Sequence, residues 1–219
     1  MKLAIFDLDN TLLCGDSDHT WGEFLVAKGL VNRAEYGEKN DYFFQQYQNG
    51  TLDIVAYLEF SAEPLRNVNK LTRDQWHEEF MQETIEPLLL PKAMNLVSEH
   101  KKSGHYCLVI TATNRFIAEP IANRFQVDAI IASEFECKDN FYTGKVSGVP
   151  CYKEGKITRL CEWLTNCELN LTLQDSVFYS DSSNDIPLLE EVSEAVAVDP
   201  DDTLRQYALA RGWKVMSLR

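Results

Sequence analysis

Short apolar runs alternate with segments of helical periodicity along this chain. Five of the runs, at residues 3–6, 106–111, 127–133, 176–180 and 194–198, have the length and composition of buried strands. The segments between them space apolar side chains three and four positions apart, as amphipathic helices do. Strands that alternate with helices favour βαβ units and a parallel sheet, so the pattern predicts an α/β fold.

The stretch between the first two strands, residues 15–88, contains helical patterns only, and we call it the helical insert. Thr51 is the predicted cap of a helix that begins near Ile54, and Thr72 with Gln75 has the spacing of a capping box. The aromatic side chains of the insert are expected to form a small core of their own. The chain is therefore predicted to consist of an α/β domain, residues 1–14 and 89–219, interrupted by a helical domain, residues 15–88.

Composition and charge narrow the class of protein. The 219 residues are 45% hydrophobic and 25% charged, which is ordinary for a globular chain. The formal net charge of −13 disfavours binding to nucleic acid and to anionic membranes. No apolar run reaches the about 18 residues that a membrane span needs. The six cysteines form no C-x-x-C pair, so we expect free thiols and a cytoplasmic location.

Acidic side chains follow the first predicted strand. Asp7 and Asp9 are two positions apart, so in an extended segment they point to the same side. Two carboxylates held close together repel each other unless a cation or a proton lies between them, and Mg²⁺ prefers such oxygen ligands. The alternative interpretation is a solvated loop with ordinary turn-forming acids.

Polar groups also follow the second and last long strands. Thr111 ends one strand just ahead of a helix, where a hydroxyl and free helix amides can hold a phosphate oxygen or simply cap the helix. Asp181 and Asp185 follow the strand at 176–180, and Lys156 begins a helical segment upstream. Taken alone, a lysine at this position is usually a surface residue.

The order of these groups, Asp-x-Asp-x-Thr, then Thr, then Lys, then Asp-x-x-x-Asp, closely resembles the haloacid-dehalogenase superfamily. The four short motifs and the segments around them extend over nearly the whole chain. The resemblance implies a doubly wound parallel sheet, an inserted cap domain, and magnesium-dependent hydrolysis of phosphate esters.

The resemblance also implies a role for each motif residue. Asp7 would be the nucleophile that forms an aspartyl-phosphate, and Asp9 would protonate the leaving alcohol and later deprotonate the attacking water. Thr111 would hold a phosphoryl oxygen, while Lys156 would neutralise charge on the phosphate and on Asp7.

The metal site implied by the resemblance contains oxygen ligands only. The carboxylates of Asp7 and Asp181 and the main-chain carbonyl of Asp9 would bind Mg²⁺. Asp185 would support these ligands directly or through water. The positive charges of Mg²⁺ and Lys156 are required because an anionic nucleophile attacks a dianionic ester.

The position of the insert resembles the phosphoserine-phosphatase-like branch, in which a helical cap closes over the site and favours a small phosphate ester. Asp16 lies where enzymes of that branch have an acid that binds the substrate amine. The cap arginine with which phosphoserine phosphatases bind the substrate carboxylate has no clear counterpart here. Asp16 and Asp18 are candidate contacts for a cationic substrate, or alternatively helix caps. Thr11 and Asn114 are further candidate substrate contacts.

The motifs Asp-Leu-Asp-Asn-Thr-Leu-Leu, Gly-Asp-Ser-Asp-His and Ile-Thr-Ala-Thr-Asn-Arg-Phe also resemble those of a bacterial subgroup of that branch often assigned as histidinol phosphatases. We therefore expect histidinol phosphate as substrate, with phosphoserine or another small phosphomonoester as the alternative. A receiver-like signalling module and an inactive scaffold are the non-enzyme alternatives. His19 is expected to be a packed or surface residue, and the sequence leaves the oligomeric state open.

Overall fold

The computed structural model describes residues 1–219 and contains one seven-stranded sheet. Its strands run in the spatial order β4-β3-β2-β1-β5-β6-β7. Every neighbouring pair is parallel except the hairpin of β3 and β4. The strands are β1 (Leu3–Phe6), β2 (Tyr106–Asn114), β3 (Ala129–Lys138), β4 (Phe141–Ser147), β5 (Ser176–Ser180), β6 (Glu194–Val198) and β7 (Lys214–Met216). The predicted α/β fold is confirmed.

Nine α-helices surround the sheet, and the first five lie between β1 and β2, four of them in the helical insert. They are α1 (Ser17–Ala27), α2 (Glu38–Gln48), α3 (Ile54–Ala62), α4 (Lys70–Phe80), α5 (Pro91–Lys102), α6 (Arg115–Arg124), α7 (Glu154–Asn166), α8 (Ile186–Leu189) and α9 (Asp202–Arg211). Short π- and 3₁₀-helical turns complete the helical insert. No helix combines the length and the apolar character needed to cross a membrane.

The sheet is apolar on both faces, as expected for parallel strands covered by helices. Alternate residues of β1 point to opposite sides, so Phe6 packs with α5 and α6 while Ile5 packs with α7, α8 and α9. All four residues of β1 are fully buried. The central strand is thus fixed on both sides, and whatever follows Phe6 is held in a defined position.

The core of the helical insert differs from the prediction. Trp21, Phe24 and Phe80 do not form a separate core, because they belong to the same buried cluster as Phe6 of the sheet. Trp21 packs edge-on against both Phe80 and Phe116, and Phe116 lies on α6. The helical insert and one face of the sheet therefore share one continuous apolar interior.

The chain enters and leaves the helical insert through two adjacent segments. Leu13 and Leu89 form an isolated antiparallel bridge, and the N–H of Cys14 donates to the carbonyl of Leu88 at 2.8 Å. This pairing lies beside the predicted junctions at residues 14/15 and 88/89. The division into two domains stays a prediction.

Two predicted helix caps in the insert are wrong, although α3 begins at Ile54 as expected. Asp53, not Thr51, caps α3 by accepting from the N–H groups of Val55 and Ala56. Asn69, not Thr72, caps α4, and Thr72 lies inside that helix. In both cases a short Asp or Asn side chain closer to the apolar run reaches the free amides of the first turn.

Candidate active site

Polar side chains gather where the strand order of the sheet reverses. β1 lies between β2 and β5, and the chain moves outward from β1 in both directions. In open α/β sheets, ligands bind beyond the carboxyl ends of the strands at such a point. All three polar strand ends that the sequence predicted lie at this point. They are the residues that follow β1, the end of β2 and the residues that follow β5.

A buried lysine joins two of the carboxylates. Lys156 Nζ lies 2.8 Å from Asp7 Oδ1 and 2.7 Å from Asp185 Oδ1, and its side chain is only 3% exposed. The hydroxyl of Ser180 donates to Asp185 Oδ2 at 2.7 Å, which fixes the second oxygen of that carboxylate. Lys156 is therefore a site residue and not a surface residue.

Asp9 is held by one hydrogen bond on each carboxylate oxygen. The N–H of Ser17, at the start of α1, donates to Asp9 Oδ1 at 2.6 Å. The hydroxyl of Thr113 donates to Asp9 Oδ2 at 2.7 Å. The side chain of Asp9 thus connects the helical insert with the end of β2.

Asp181 is held by Thr11 in both directions. The Thr11 hydroxyl donates to Asp181 Oδ1 at 2.9 Å and accepts from the Asp181 N–H at 3.0 Å. Thr11 is fully buried. The segment after β1 and the segment after β5 are consequently fixed to each other.

Burial makes the carboxylates of this site difficult to ionise. It raises the pKa of Asp7 to about 7, although the Lys156 ammonium opposes the shift. Burial raises the pKa of Asp9 to about 6, and the nearby Asp16 carboxylate adds to the shift. For Asp181, burial and the charge of Asp7 raise the pKa well above its usual value. The neighbouring carboxylates raise the pKa of Lys156, so it stays an ammonium.

The charges of these side chains indicate whether a metal cation fits the site. Asp7 and Asp185 share the buried ammonium of Lys156, and the nearby acids Asp9 and Asp181 pair with no lysine or arginine, so the site has excess negative charge. No three acidic, histidine or cysteine side chains form a ready-made metal cluster. The metal ligands implied by the family resemblance are two carboxylates and the main-chain carbonyl of Asp9, so they do not require a cluster of three side chains. The donors present are hard oxygens that suit Mg²⁺.

A cavity lies above these groups. Its volume is about 500 Å³ when the space at its open mouth is included. Asp7, Asp9 and Thr111 line its floor together with Ala112 and Thr113. The helical insert supplies the remaining walls, and none of the lining residues is a lysine or an arginine. These wall residues are Asp16, Asp18, His19, Asn40, Phe43, Phe44, Tyr47, Leu52, Ile54 and Tyr57.

The two acids of the insert differ in their contacts. Asp16 caps α1, because its Oδ1 accepts from the N–H of His19 at 2.7 Å. Asp18 is buried, and its Oδ1 accepts from the Asn114 amide at 3.2 Å. Burial raises the pKa of Asp18 well above its usual value, and the charges of Asp16 and Asp9 add to that shift.

His19 is packed, as expected, and also lines the cavity. Its ring stacks on Phe44 with centroids 4.4 Å apart, and its Nε2 lies 2.8 Å from Asp41 Oδ1. The imidazole therefore extends the aromatic wall formed by α2.

Two expected substrate contacts lie elsewhere. Neither Thr11 nor Asn114 lines the cavity. The Thr11 hydroxyl is used by Asp181, while Asn114 caps α6 through Oδ1 and donates from Nδ2 to Asp18. Their polar groups bond to other side chains and to the backbone of the protein, so in this structure they hold other residues of the site.

Further contacts, not predicted from the sequence, join the helical insert to the loops of the site. Lys153 Nζ donates to the Gly50 carbonyl at 2.7 Å, and Asn184 Nδ2 donates to the Tyr47 carbonyl at 3.2 Å. Lys153 precedes Lys156 by three positions, and Asn184 precedes Asp185 directly. The end of α2 is therefore held by Lys153 and Asn184, which closely precede Lys156 and Asp185 in the sequence.

Comparison with known proteins adds a family to this geometry. The sequence profile of the haloacid dehalogenase-like hydrolases matches residues 4–190. A histidinol-phosphatase of Neisseria meningitidis serogroup C (strain 8013) is 47% identical over 222 residues, covering 100% of this chain and 99% of that protein. The chain belongs to the haloacid dehalogenase-like hydrolase family.

Solved structures agree with this assignment. A protein with unknown function from Bordetella pertussis Tohama I has a TM-score of 0.92 at 42% identity, covering 99% of this chain and 98% of that one. A substrate-bound phosphoserine phosphatase has a TM-score of 0.72 at 17% identity, covering 100% of this chain and 93% of that one, which shows a shared fold. Within its family the chain is a phosphatase.

Proposed function

We propose that this phosphatase hydrolyses a small phosphomonoester in two steps through Asp7. The Asp7 carboxylate attacks phosphorus, the ester bond breaks, and the leaving oxygen takes a proton from the Asp9 carboxyl group. A water molecule then attacks the phosphorus of the aspartyl-phosphate and gives a proton to Asp9, while the bond between phosphorus and the Asp7 oxygen breaks. Inorganic phosphate leaves, and both side chains return to their starting states.

The position of Lys156 between Asp7 and Asp185 carries this proposal. A carboxylate approaches a phosphate dianion only when positive charge offsets their repulsion, and Lys156 supplies a fixed positive charge next to the attacking oxygen. The pKa of Asp9, raised to about 6, suits a group that gives and takes a proton near neutral pH. Thr111 lines the cavity floor, where its hydroxyl is available to a phosphoryl oxygen.

Magnesium fits the charge of this site. The carboxylates of Asp7 and Asp181 and the main-chain carbonyl of Asp9 would hold it, with Asp185 supporting them. When bound, the ion supplies positive charge to the phosphoryl oxygens. Thr11 keeps the Asp181 carboxylate oriented through its two hydrogen bonds.

The helical insert is proposed to act as the cap domain of this enzyme, with residues 1–14 and 89–219 as the core domain. It supplies the side walls of the cavity, while the floor comes from the ends of β1 and β2. A cap in this position shields the site from bulk water and admits only small substrates. The six free thiols support a cytoplasmic location.

Histidinol phosphate is the substrate that the cavity walls favour. Its organic part carries an ammonium group and an imidazole ring but no carboxylate. The walls offer Asp16 and Asp18 for positive charge and an aromatic surface for a flat ring, including Phe44 and Tyr57. They contain no lysine or arginine that could pair with the carboxylate of phosphoserine, the alternative substrate.

A substrate panel tests this proposal. Phosphate release is measured with Mg²⁺ for histidinol phosphate, phosphoserine, phosphoethanolamine and sugar phosphates, with Asp7→Asn as the inactive control. We expect the highest kcat/KM with histidinol phosphate and no release in the control. A preference for phosphoserine would refute the substrate assignment. Full activity of Asp7→Asn would refute the mechanism.

Asp18 gives a sharper test of substrate recognition. Asp18→Asn removes the buried charge but keeps the shape, so the KM for histidinol phosphate should rise about 10- to 100-fold, the value of one charge-assisted hydrogen bond. The KM for glycerol phosphate, which has no cation, should stay within about twofold because no such bond is lost. Asp139→Asn, on the exposed turn of the hairpin, is the matched control and should change neither. An equal rise in both KM values would contradict a charge-specific contact.

A further inference from the structure

The side chain of Thr113 makes a contact that the motif residues do not account for. Its hydroxyl donates to Asp9 Oδ2 at 2.7 Å, and the two side chains are 3% and 8% exposed. The other oxygen of Asp9 accepts from the Ser17 N–H at 2.6 Å. The Ser17 hydroxyl has no hydrogen-bond partner, so Ser17 contributes its backbone alone. One backbone donor and one hydroxyl thus define the plane of the Asp9 carboxyl group.

The backbone explains how Thr113 reaches Asp9. β2 continues to Asn114, three residues beyond Thr111, and its pairing with β3 shifts register between Ile110 and Asn114. Such irregularities re-aim side chains at the end of a strand. The N–H of Thr113 donates to the Thr111 hydroxyl oxygen at 3.2 Å, which fixes the two threonines relative to each other. The Thr113 hydroxyl is therefore held in place before any substrate binds.

We propose that Thr113 is a positioning residue for the proton transfer by Asp9. This inference rests on the proposed function, because it assigns Thr113 a task only if Asp9 protonates the leaving oxygen. A carboxyl group that rotates freely about its Cβ–Cγ bond presents its proton to that oxygen only part of the time. Thr113 and Ser17 remove that freedom, one from each oxygen, and so keep the proton aimed into the cavity that Asp9 lines.

The leaving group distinguishes this task from a purely structural one. An alkoxide is a poor leaving group and depends on protonation, whereas p-nitrophenolate leaves readily without a proton. The ratio kcat/KM covers the steps up to release of the alcohol or phenol, so it reports on this transfer and not on the later attack of water. Loss of the Thr113 hydroxyl should lower kcat/KM for alkyl phosphates much more than for p-nitrophenyl phosphate.

The experiment measures kcat/KM of the magnesium-loaded, full-length protein with both substrates. The alkyl phosphate is the one turned over fastest in the panel described above. Thr113→Val keeps the shape of the side chain and removes the hydroxyl. We expect a loss of about 10- to 100-fold with the alkyl phosphate and of less than about threefold with p-nitrophenyl phosphate. Thr113→Ser restores the hydroxyl and should recover most of the loss.

Two further variants make the result decisive. Thr165→Val removes an exposed hydroxyl that bonds to the Cys161 carbonyl on α7, and should leave both ratios unchanged. Asp9→Asn should show the same selective loss as Thr113→Val, but larger. If Thr113→Val does not fold, Thr113→Ala replaces it.

Each outcome bears on a different claim. Equal losses with the two substrates, no loss at all, or failure of Thr113→Ser to recover activity would overturn the role of Thr113. A selective loss in Asp9→Asn without one in Thr113→Val would overturn this inference and leave the proposed function intact. Absence of a selective loss in Asp9→Asn would overturn the acid role of Asp9 in the proposed function itself.

Discussion

The Nζ atom of Lys156 lies 2.8 Å from Oδ1 of Asp7, although 149 positions separate the two residues in the sequence. Both side chains are almost fully buried, at 3% and 5% exposure. The contact joins the first turn of α7 to the end of the central strand β1. Asp185 shares the same ammonium from a third segment, so one cation holds three parts of the chain together.

Replacing Lys156 should affect both stability and activity. Lys156→Met leaves the carboxylates of Asp7 and Asp185 buried without their cation. Breaking a buried pair in this way costs about 3–5 kcal/mol in the free energy of unfolding, measured by urea titration without Mg²⁺. Phosphate release should fall by at least about 100-fold, because the fixed charge beside the nucleophile is lost.

Lys101→Met is the matched control for that variant. Lys101 pairs with Asp128 at 3.0 Å, but the side chains are 36% and 30% exposed. Loss of such a partly exposed pair should change the free energy of unfolding by no more than about 1 kcal/mol. Equal destabilisation by the two substitutions would mean that the buried position of Lys156 has no special energetic role.

Asp181 should decide how the protein responds to Mg²⁺. Without the ion, Asp181→Asn should melt at a higher temperature than the wild type, because the buried carboxylate has no cation beside it and an amide needs none. Excess Mg²⁺ at about 100 times its Kd should stabilise the wild type by about 2.7 kcal/mol. The variant should gain at least about 1.4 kcal/mol less, the equivalent of a tenfold weaker affinity.

Thermal melts in EDTA and in MgCl₂ give both parts of this comparison without any activity measurement. Asp139→Asn, on the hairpin turn, should respond to Mg²⁺ like the wild type. The prediction fails if Asp181→Asn and the wild type gain the same melting temperature from Mg²⁺.

Gly155 should tolerate no side chain. A Cβ atom there would lie 2.1 Å from the Pro150 carbonyl oxygen, so α7 and Lys156 would have to move. We expect Gly155→Ala to lower the free energy of unfolding by about 1–3 kcal/mol and to lower kcat. At Gly37 a Cβ atom would make only ordinary contacts, at 3.6 Å or more, so Gly37→Ala should be neutral or stabilising by up to about 1 kcal/mol. Urea titrations of the two variants that gave the same loss would contradict this reasoning.

The sequence predicted the parts of this molecule that short, local patterns determine. Strands at residues 3–6, 176–180 and 194–198 have the predicted bounds, because continuous apolar runs in this fold lie between two helical layers. The family resemblance, carried by short motifs, implied that Lys156 neutralises Asp7, and the two side chains are in direct contact. Their assigned roles in the reaction stay predictions that the variants above test.

Features that depend on contacts between distant segments escaped prediction. Thr113 reaches Asp9 through a register shift between β2 and β3, which no periodicity in the sequence reveals. Asn114 is a polar residue at a strand end and was expected to contact the substrate, but its amide donates to Asp18, 96 positions away. Trp21 was expected in a separate core of the insert, whereas the interior continues into the sheet. Local patterns identify which residues are polar or apolar, and packing decides which partner each of them meets.

His100, which contacts His105 and lies outside the active site, should make the stability of the protein depend on pH. His100 Nδ1 lies 2.8 Å from His105 Nδ1, and its Nε2 lies 2.9 Å from the Tyr179 hydroxyl oxygen. Burial lowers the pKa of His100 from 6.5 to about 4, and the charges of His105 and Lys2 add to this shift while Glu194 opposes it. Between these values the folded protein keeps His100 neutral while the unfolded chain binds a proton. The free energy of unfolding therefore falls as the pH decreases from 6.5 towards 4.

His100→Gln should remove this contribution, since glutamine does not titrate. Urea titrations of both proteins between pH 8 and pH 4 isolate the effect, because the acidic groups elsewhere contribute equally to each curve. Above pH 7 the two free energies of unfolding should run parallel. Below pH 6.5 the wild type should lose stability more steeply than the variant, and parallel curves down to pH 4 would show that His100 is not held neutral by the fold.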